Sequence, residues 1–326
     1  MSMPKVSILL PIYNVEPYVE DCLVSLLSQT CTDFEIIAVD DRSPDRSGEI
    51  VSRVLKSQDK VAWKLITNKS NQGLAETRRI AAMEAIGDYV LCVDSDDYVH
   101  PRLIGRVIEE AVEHNADVVI FAATNVNPDD TVNYQIDSED NVITGVEAVE
   151  RIMDLSLQAY CWNKLVRRSI FVGVHHPSGL IYEDLCVSVQ TLGRSNTVRL
   201  IPDHLYFYVL REGGISTRFN PKILDLVTIM DLVEKTTASL PIANWSRRFF
   251  RLKYIYGFRT IAFQVAMRAP TYQLASPILR TVSERLRLQH LYHMYVDSRP
   301  RLTFVMCLLK IHPRIFYSFV RRFGER

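Results

Sequence analysis

Through its first 125 residues the chain alternates short apolar runs with segments of helical period. The runs are KVSILLPIY (5–13), FEIIAVDD (34–41), AWKLITN (62–68), DYVLCVDSDD (88–97) and ADVVIFAAT (116–124). Between the first two, Val19, Cys22, Leu23, Leu26 and Leu27 recur at helical spacing. Strands apolar on both faces need cover on both faces, and short strand–helix links make neighbouring strands parallel. The pattern predicts an α/β fold, a mostly parallel central sheet with helices on both faces. Helix signals agree: a Ser43–Pro44–Asp45 cap opens one helix, Gly87 closes another and Pro101 starts a third.

Residues 126–220 are mixed. NPDDTVNYQIDSEDN (127–141) reads as a polar loop and TGVEAVERIMDLS (144–156) as a helix with a Thr cap. YCWNKLVRRSIF (160–171) and YEDLCVSVQTLGRS (182–195) look helical, whereas TVRLI (197–201) and HLYFYVLRE (204–212) look like strands. From about residue 222 the pattern is helical, with breaks expected at Pro241, Pro270, Pro277, Pro300 and Pro313. The division expected is an α/β domain over 1–220 and a basic, mainly helical region over 221–326.

The formal charge of zero hides a split. Residues 1–240 hold 22 Lys and Arg against 35 Asp and Glu, and residues 241–326 hold 16 against 3. Two parts of opposite charge suggest different partners. The six cysteines show no CxxC spacing, so neither a zinc site nor a redox motif is expected, and free thiols in a reducing cytoplasm are. The N-terminal MSMPKVSILL reads as a first strand, not a signal peptide, and no uncharged apolar run reaches the ~18 residues of a spanning helix.

In open α/β sheets, ligands bind beyond the carboxyl ends of the strands. Asp40, Asp41, Asp94, Asp96 and Asp97 all fall at such ends. Carboxylates this close repel unless something positive sits among them. Hard oxygens at Asp94 and Asp96 suit Mg²⁺ or Mn²⁺, which take one or two carboxylates plus substrate phosphates. On this reading the repulsion is relieved when the metal and its phosphate ligand bind, and Asp97 is either their partner or the cap of the helix begun by Pro101. No GxGxxG follows the first strand, and no GxxxxGK[ST] or HExxH occurs, so dinucleotide, P-loop and zinc-protease chemistry are not expected. HLYH (290–293) has no further ligands around it.

Five pieces in register, VSILLPIYNVEPYVEDCLVSLLSQTCTDFEIIAVDDRSPDRSGEI, NQGLAETRR, GDYVLCVDSDDYVHP, WNKLVRRSIF and IYEDL, resemble the family 2 glycosyltransferases. The resemblance covers roughly residues 4–220. It implies a GT-A fold, an inverting hexosyl transfer, a nucleotide-sugar donor (most often a UDP-sugar), a divalent metal, and an acceptor hydroxyl on a glycan or lipid-linked saccharide of the bacterial cell surface. Carried over by position, Pro11, Tyr13, Asp40 and Asp41 line the nucleotide pocket, with Arg78 near it. Asp94, Ser95 and Asp96 match the DxD motif, with Asp94 and Asp96 on the metal. Asp184, ahead of Glu183, matches the catalytic base, expected across the sugar from Asp96. Two departures stand out: Arg42 replaces a common Gly after the acidic pair, and Arg79 a common Asn after the arginine. Trp162, Asn163 and Lys164 match an element that shapes the acceptor side. Arg211, before a Gly pair, could reach the diphosphate, and His175 and His176 could lie near the acceptor.

The tail interleaves Arg and Lys with aromatics. Leu308, Ile311, Ile315, Phe319 and Phe323 recur at helical spacing, with Lys310, Arg314, Arg321 and Arg322 between. Such faces suit an anionic membrane surface. The expectation is a cytoplasmic protein, peripheral on the inner face of the membrane, open to homo-oligomer formation and without a nucleic-acid motif. The competing readings are a metal-dependent nucleotidyltransferase, which would want a Gly-rich loop after the first strand, and a non-catalytic membrane-associated scaffold with the same fold.

Overall fold

A computed structural model describes residues 4–210, 218–297 and 299–323. Four strands form one half of a single mixed sheet: β1 (Val6–Ile12), β2 (Phe34–Asp40), β3 (Ala62–Thr67) and β4 (Tyr89–Cys92). They run parallel in the order β3-β2-β1-β4. β1 and β2 are buried at every residue, which is why their sequences do not alternate, while the edge strand β3 is half exposed. The links carry the expected helices α1 (Val19–Leu27), α2 (Ser47–Lys56) and α3 (Leu74–Glu84).

The other half follows with β5 (Tyr98–Val99), α4 (Leu103–Glu113), β6 (Val118–Val126), β7 (Val132–Ile136), β8 (Asn141–Ile143), α5 (Gly145–Met153), β9 (Lys164–Arg167), α6 (Arg168–Val172), α7 (Glu183–Gly193) and β10 (Val198–Val209). β6 pairs parallel with β10. The Thr144 cap holds, its Oγ accepting from Glu147 N at 3.1 Å.

Four local expectations change. Lys164–Arg167 is not helical: it is β9, antiparallel between β4 and β6 in the middle of the sheet. Polar 127–141 is not all loop, because β7 pairs with β6 and β8 with β10. The two strands expected over 197–212 are one, β10, bent by register shifts around His204. Gly87 does not close α3, which ends at Glu84. Its N–H donates to Ser7 Oγ at 2.9 Å, and a Cβ there would meet Ser7 N at 2.8 Å, so close strand approach demands glycine.

The chain divides into two compact units, 1–149 with 159–211 and 150–158 with 212–326. The second is helical: α8 (Asp225–Thr237), α9 (Trp245–Phe250), a wide π turn over Arg251–Phe258, α10 (Arg259–Arg268), α11 (Tyr272–Arg285), α12 (Leu288–Val296), α13 (Pro300–Ile311) and α14 (Pro313–Phe323). Pro300 and Pro313 start helices, as a residue without an N–H can. Pro277 breaks nothing and lies inside α11. The arginines of WSRRFFR do not form a free basic face. Arg248 and Arg251 pair with Asp154, and Arg247 and Arg251 with Asp297. Among the described residues no helix is long and apolar enough to cross a membrane.

Candidate active site

The carboxyl ends of β1, β2 and β4 bring the expected acids to one edge of the sheet. Each is held by its neighbours. Asp41 accepts from Asn68 Nδ2 (2.7 Å), Gln72 N (2.7 Å) and Gly73 N (2.8 Å), fixing the approach to α3. Gly73 sits at φ +83°, a conformation glycine adopts without strain. Asp40 accepts from Ser43 N at 3.0 Å. Ser95 Oγ donates to Pro11 O at 2.7 Å, which ties the turn after β4 to the end of β1. Tyr13, just beyond β1, is 47% exposed and presents an open ring.

Arg78 is the positive charge that the cluster of acids required. It projects from α3, is 2% exposed, and bridges the turn after β4 to the start of α7. One terminal nitrogen donates to Asp94 Oδ1 at 2.7 Å; the other donates to Glu183 Oε1 at 3.1 Å and to Asp184 Oδ1. To the expectation that the repulsion is relieved when metal and donor bind, the structure adds a buried guanidinium that already pairs with Asp94 in the protein itself. Arg78 is also not a free pocket arginine, since three carboxylates share it.

The two candidate bases differ in environment. The Glu183 side chain is 8% exposed and that of Asp184 24%. Burial and then the charge of Asp184 push the Glu183 carboxyl up to about 7, against the pull of Arg78. Asp184 Oδ2 accepts from Cys161 N at 3.2 Å. A carboxylate has about four lone-pair positions, so the bonds from Arg78 and Cys161 orient Asp184 and leave room for a hydroxyl. Tyr182, immediately before, sits at φ +66°, and Asn14 and Arg42 also hold positive φ, at 55° and 62°. Strained backbone of this kind collects at functional sites.

Asp97 does not cap α4. It is 2% exposed, accepts from Tyr206 OH at 2.7 Å and from Val209 N at 2.8 Å, and so clasps β10 to the turn after β4. Burial, then the charges of Asp96 and Asp94, raise its carboxyl well above the ordinary range. Tyr206 OH in turn accepts from Asp94 N at 3.0 Å. Sequence reasoning missed Tyr206, whose partner is 109 positions away. Lys164 is 2% exposed and donates to Tyr160 O at 2.5 Å and to Asn163 Oδ1 at 2.8 Å. Burial lowers its amine to about 8. His176 is buried against Phe171, its Nε2 bonded to the Phe171 carbonyl at 3.1 Å, while His175 is exposed with its backbone bonded to Gln190. Arg211 lies outside the described residues.

Asp94 and Asp96 are both part-exposed on the turn. Among the described residues no group of three or more His, Cys, Asp or Glu could hold a metal. Two hard carboxylates still fit Mg²⁺ or Mn²⁺, which complete their shell with phosphate and water.

The model of the glycosyl transferase family 2 matches residues 7–178, more than half of the chain. The chain belongs to that family. It is 32% identical over 217 residues to EpsJ of Bacillus subtilis, described as an uncharacterized glycosyltransferase, across 63% of this chain and 61% of EpsJ, so it spans less than two thirds of that relative. It is 28% identical over 263 residues to the glycosyltransferase GlyG of Streptococcus pneumoniae, across 77% of this chain and 85% of GlyG. The crystal structure of residues 1–349 of Staphylococcus aureus TarS in complex with UDP-GlcNAc superposes with a TM-score of 0.75 at 22% identity, covering 98% of this chain and 92% of that one. That likeness establishes the fold, a GT-A sheet with a C-terminal helical region. In this family 2 chain, the guanidinium of Arg78 joins the DxD turn to the ED pair, so the match in sequence order is also a match in space.

Proposed function

We propose that the protein is an inverting glycosyltransferase. It moves a sugar from a nucleotide-sugar donor, a UDP-sugar, to a hydroxyl of a glycan or lipid-linked acceptor in the synthesis of a cell-surface polysaccharide. One observation carries the reading: Asp94 of the DxD turn and Asp184 share a single buried guanidinium. Charge stabilisation for a leaving diphosphate and a base for an incoming hydroxyl thus lie within one side chain of each other. Asp184 accepts the proton of the acceptor hydroxyl as its oxygen attacks the anomeric carbon and the bond to the diphosphate breaks on the opposite face. Glu183 is the less suited base because its side chain is 8% exposed, against 24% for Asp184, and so less open to an incoming hydroxyl. Asp94 and Asp96 would hold the cation, which when bound offsets charge on the departing diphosphate. The nucleotide is read at Pro11, Tyr13, Asp40 and Asp41.

We further propose that the protein works at an anionic membrane surface, where a lipid-linked acceptor would be met. Support comes from α14, which buries Phe316, Tyr317 and Val320 and turns Ile315, Phe319 and Phe323 outward beside Arg314 and Arg322. These outward residues line a shallow cavity of about 450 Å³.

Thermal shift against a panel of nucleotides and UDP-sugars, with and without Mn²⁺, tests the donor. Stabilisation by one UDP-sugar that strengthens with Mn²⁺ is expected, and no response to any nucleotide would overturn the reading. Asp184→Ala should retain that shift and lose transfer, whereas the scaffold reading expects no change in either.

A further inference from the structure

We propose that the sheet carries a sugar-stacking platform for the acceptor beside Asp184, and that the acceptor is therefore a cyclic pyranose unit and not an acyclic polyol phosphate. The inference rests on the transferase reading and specifies its acceptor.

The observation is a ladder of rings. Trp162 lies between Tyr160 and Tyr206, with centroids 4.7 and 4.6 Å away and planes 13° and 22° apart. Tyr208 stacks on Trp162 at 5.8 Å. The ladder runs outward. Tyr206 is wholly buried on Asp97, Trp162 is 3% exposed, and Tyr160 and Tyr208 are half-buried. Register extends it by one strand. Tyr134 of β7 faces Asn125 of β6, and Asn125 faces Tyr208 of β10, so the three share one row and one face. Tyr134 is 48% exposed.

The position of the ladder is fixed relative to the base. Lys164 holds the Tyr160 carbonyl, and the next N–H, of Cys161, is bonded to Asp184 Oδ2. The buried Lys164 thus becomes a positioning residue for Tyr160, a role the transfer chemistry alone does not give it. Core packing accounts for Trp162 and Tyr206, and for the inner sides of Tyr160 and Tyr208, but not for the large exposed ring of Tyr134. Asn125 adds a second mark. Its Nδ2 is buried without a hydrogen-bond partner among the described residues, a state that ordinarily costs stability. A sugar hydroxyl seated between Tyr134 and Tyr208 would satisfy it. A pyranose presents a flat apolar face of axial C–H groups to the negative face of an aromatic ring, and a flexible polyol has no such face.

Saturation-transfer NMR on the full chain with UDP tests this. The probes are methyl pyranosides of glucose, galactose, mannose and N-acetylglucosamine, against ribitol 5-phosphate. At least one pyranoside should receive saturation on its ring protons, and ribitol 5-phosphate should not. Tyr134→Ala and Tyr208→Ala should each weaken that pyranoside about tenfold, and Tyr134→Phe should restore it. Ribitol 5-phosphate signals equal to the best pyranoside, or pyranoside signals indifferent to both alanines, would overturn the proposal, as would no pyranoside signal while UDP still raises the melting temperature. Failure of UDP itself to shift the wild-type chain would instead overturn the donor reading.

Discussion

Arg42 is where sequence and backbone disagree most plainly. It stands where the resemblance to family 2 implies Gly, and it holds φ +62°, in the left-handed region. A residue with a Cβ pays roughly 1 kcal/mol there. Arg42→Gly should raise stability by about 0.5–1 kcal/mol in urea titration; a loss would mean that the Arg42 side chain makes contacts worth more than the strain. Glu183 makes a second prediction at this scale. Its folded value of about 7 lies above the ordinary 4.5. The folded chain therefore keeps a proton that the unfolded chain has released. Stability from this group is complete below pH ~4.5 and is lost as pH rises through ~7. Glu183→Gln removes that loss, so the variant should gain on the wild type at pH 8, by at most about 3 kcal/mol, and gain little at pH 4. Equal effects at both pH values would place the cause elsewhere.

At the scale of elements, β9 and β10 decide the site. A lysine in the centre of a sheet does not read as strand, because its amine must be met by partners the local sequence does not announce; here the Tyr160 carbonyl and Asn163 meet it. β10 is long enough to reach from β8 to the DxD turn, and its end is clasped there by Asp97. Tyr206→Phe strips Asp97 and the Asp94 N–H of a partner at once. Buried groups left unmet cost about 1–3 kcal/mol. The variant should lose about 2 kcal/mol in urea titration and raise the KM for donor more than it lowers kcat. Unchanged stability would show that the clasp does not hold the strand.

For the whole molecule, the tail's charge divides into two uses. Arg247, Arg248 and Arg251 are spent on Asp154 and Asp297 inside the helical unit, and Arg321 donates to the Ala269 carbonyl at 2.8 Å. The face proposed above for the membrane is the outer side of α13 and α14, where Ile311 is 75%, Phe304 58%, Ile315 52% and Phe323 52% exposed; α12 also exposes Leu288 (75%) and Tyr292 (65%). Deleting residues 300–326 would be a poor test, since Met306, Leu309, Phe316 and Val320 are core. Replacing Ile311, Ile315 and Phe323 together by Ser should abolish flotation with phosphatidylserine vesicles and leave the melting temperature within a few degrees. Wild-type binding should weaken as salt rises, because exposed charges are screened within about 8 Å at physiological ionic strength. Flotation unaffected by the triple change would remove this face from the interface.

The sequence by itself determined the alternation of strand and helix, the burial of β1 and β2, and the placing of the DxD and ED acids at element ends. These are short-range matters of period, propensity and turn chemistry, and the family match added their order. Only the tertiary structure decided what neutralises the acids and what surrounds them. Arg78 meets Glu183 across 105 positions and Asp97 meets Tyr206 across 109. No local pattern records such pairs, because a buried charge is tolerated only where distant chain brings its partner. The aromatic ladder is legible for the same reason only after folding: its rings come from β7, β10 and the segment before β9, and the register of β6, β7 and β10 sets Tyr134 and Tyr208 in one row.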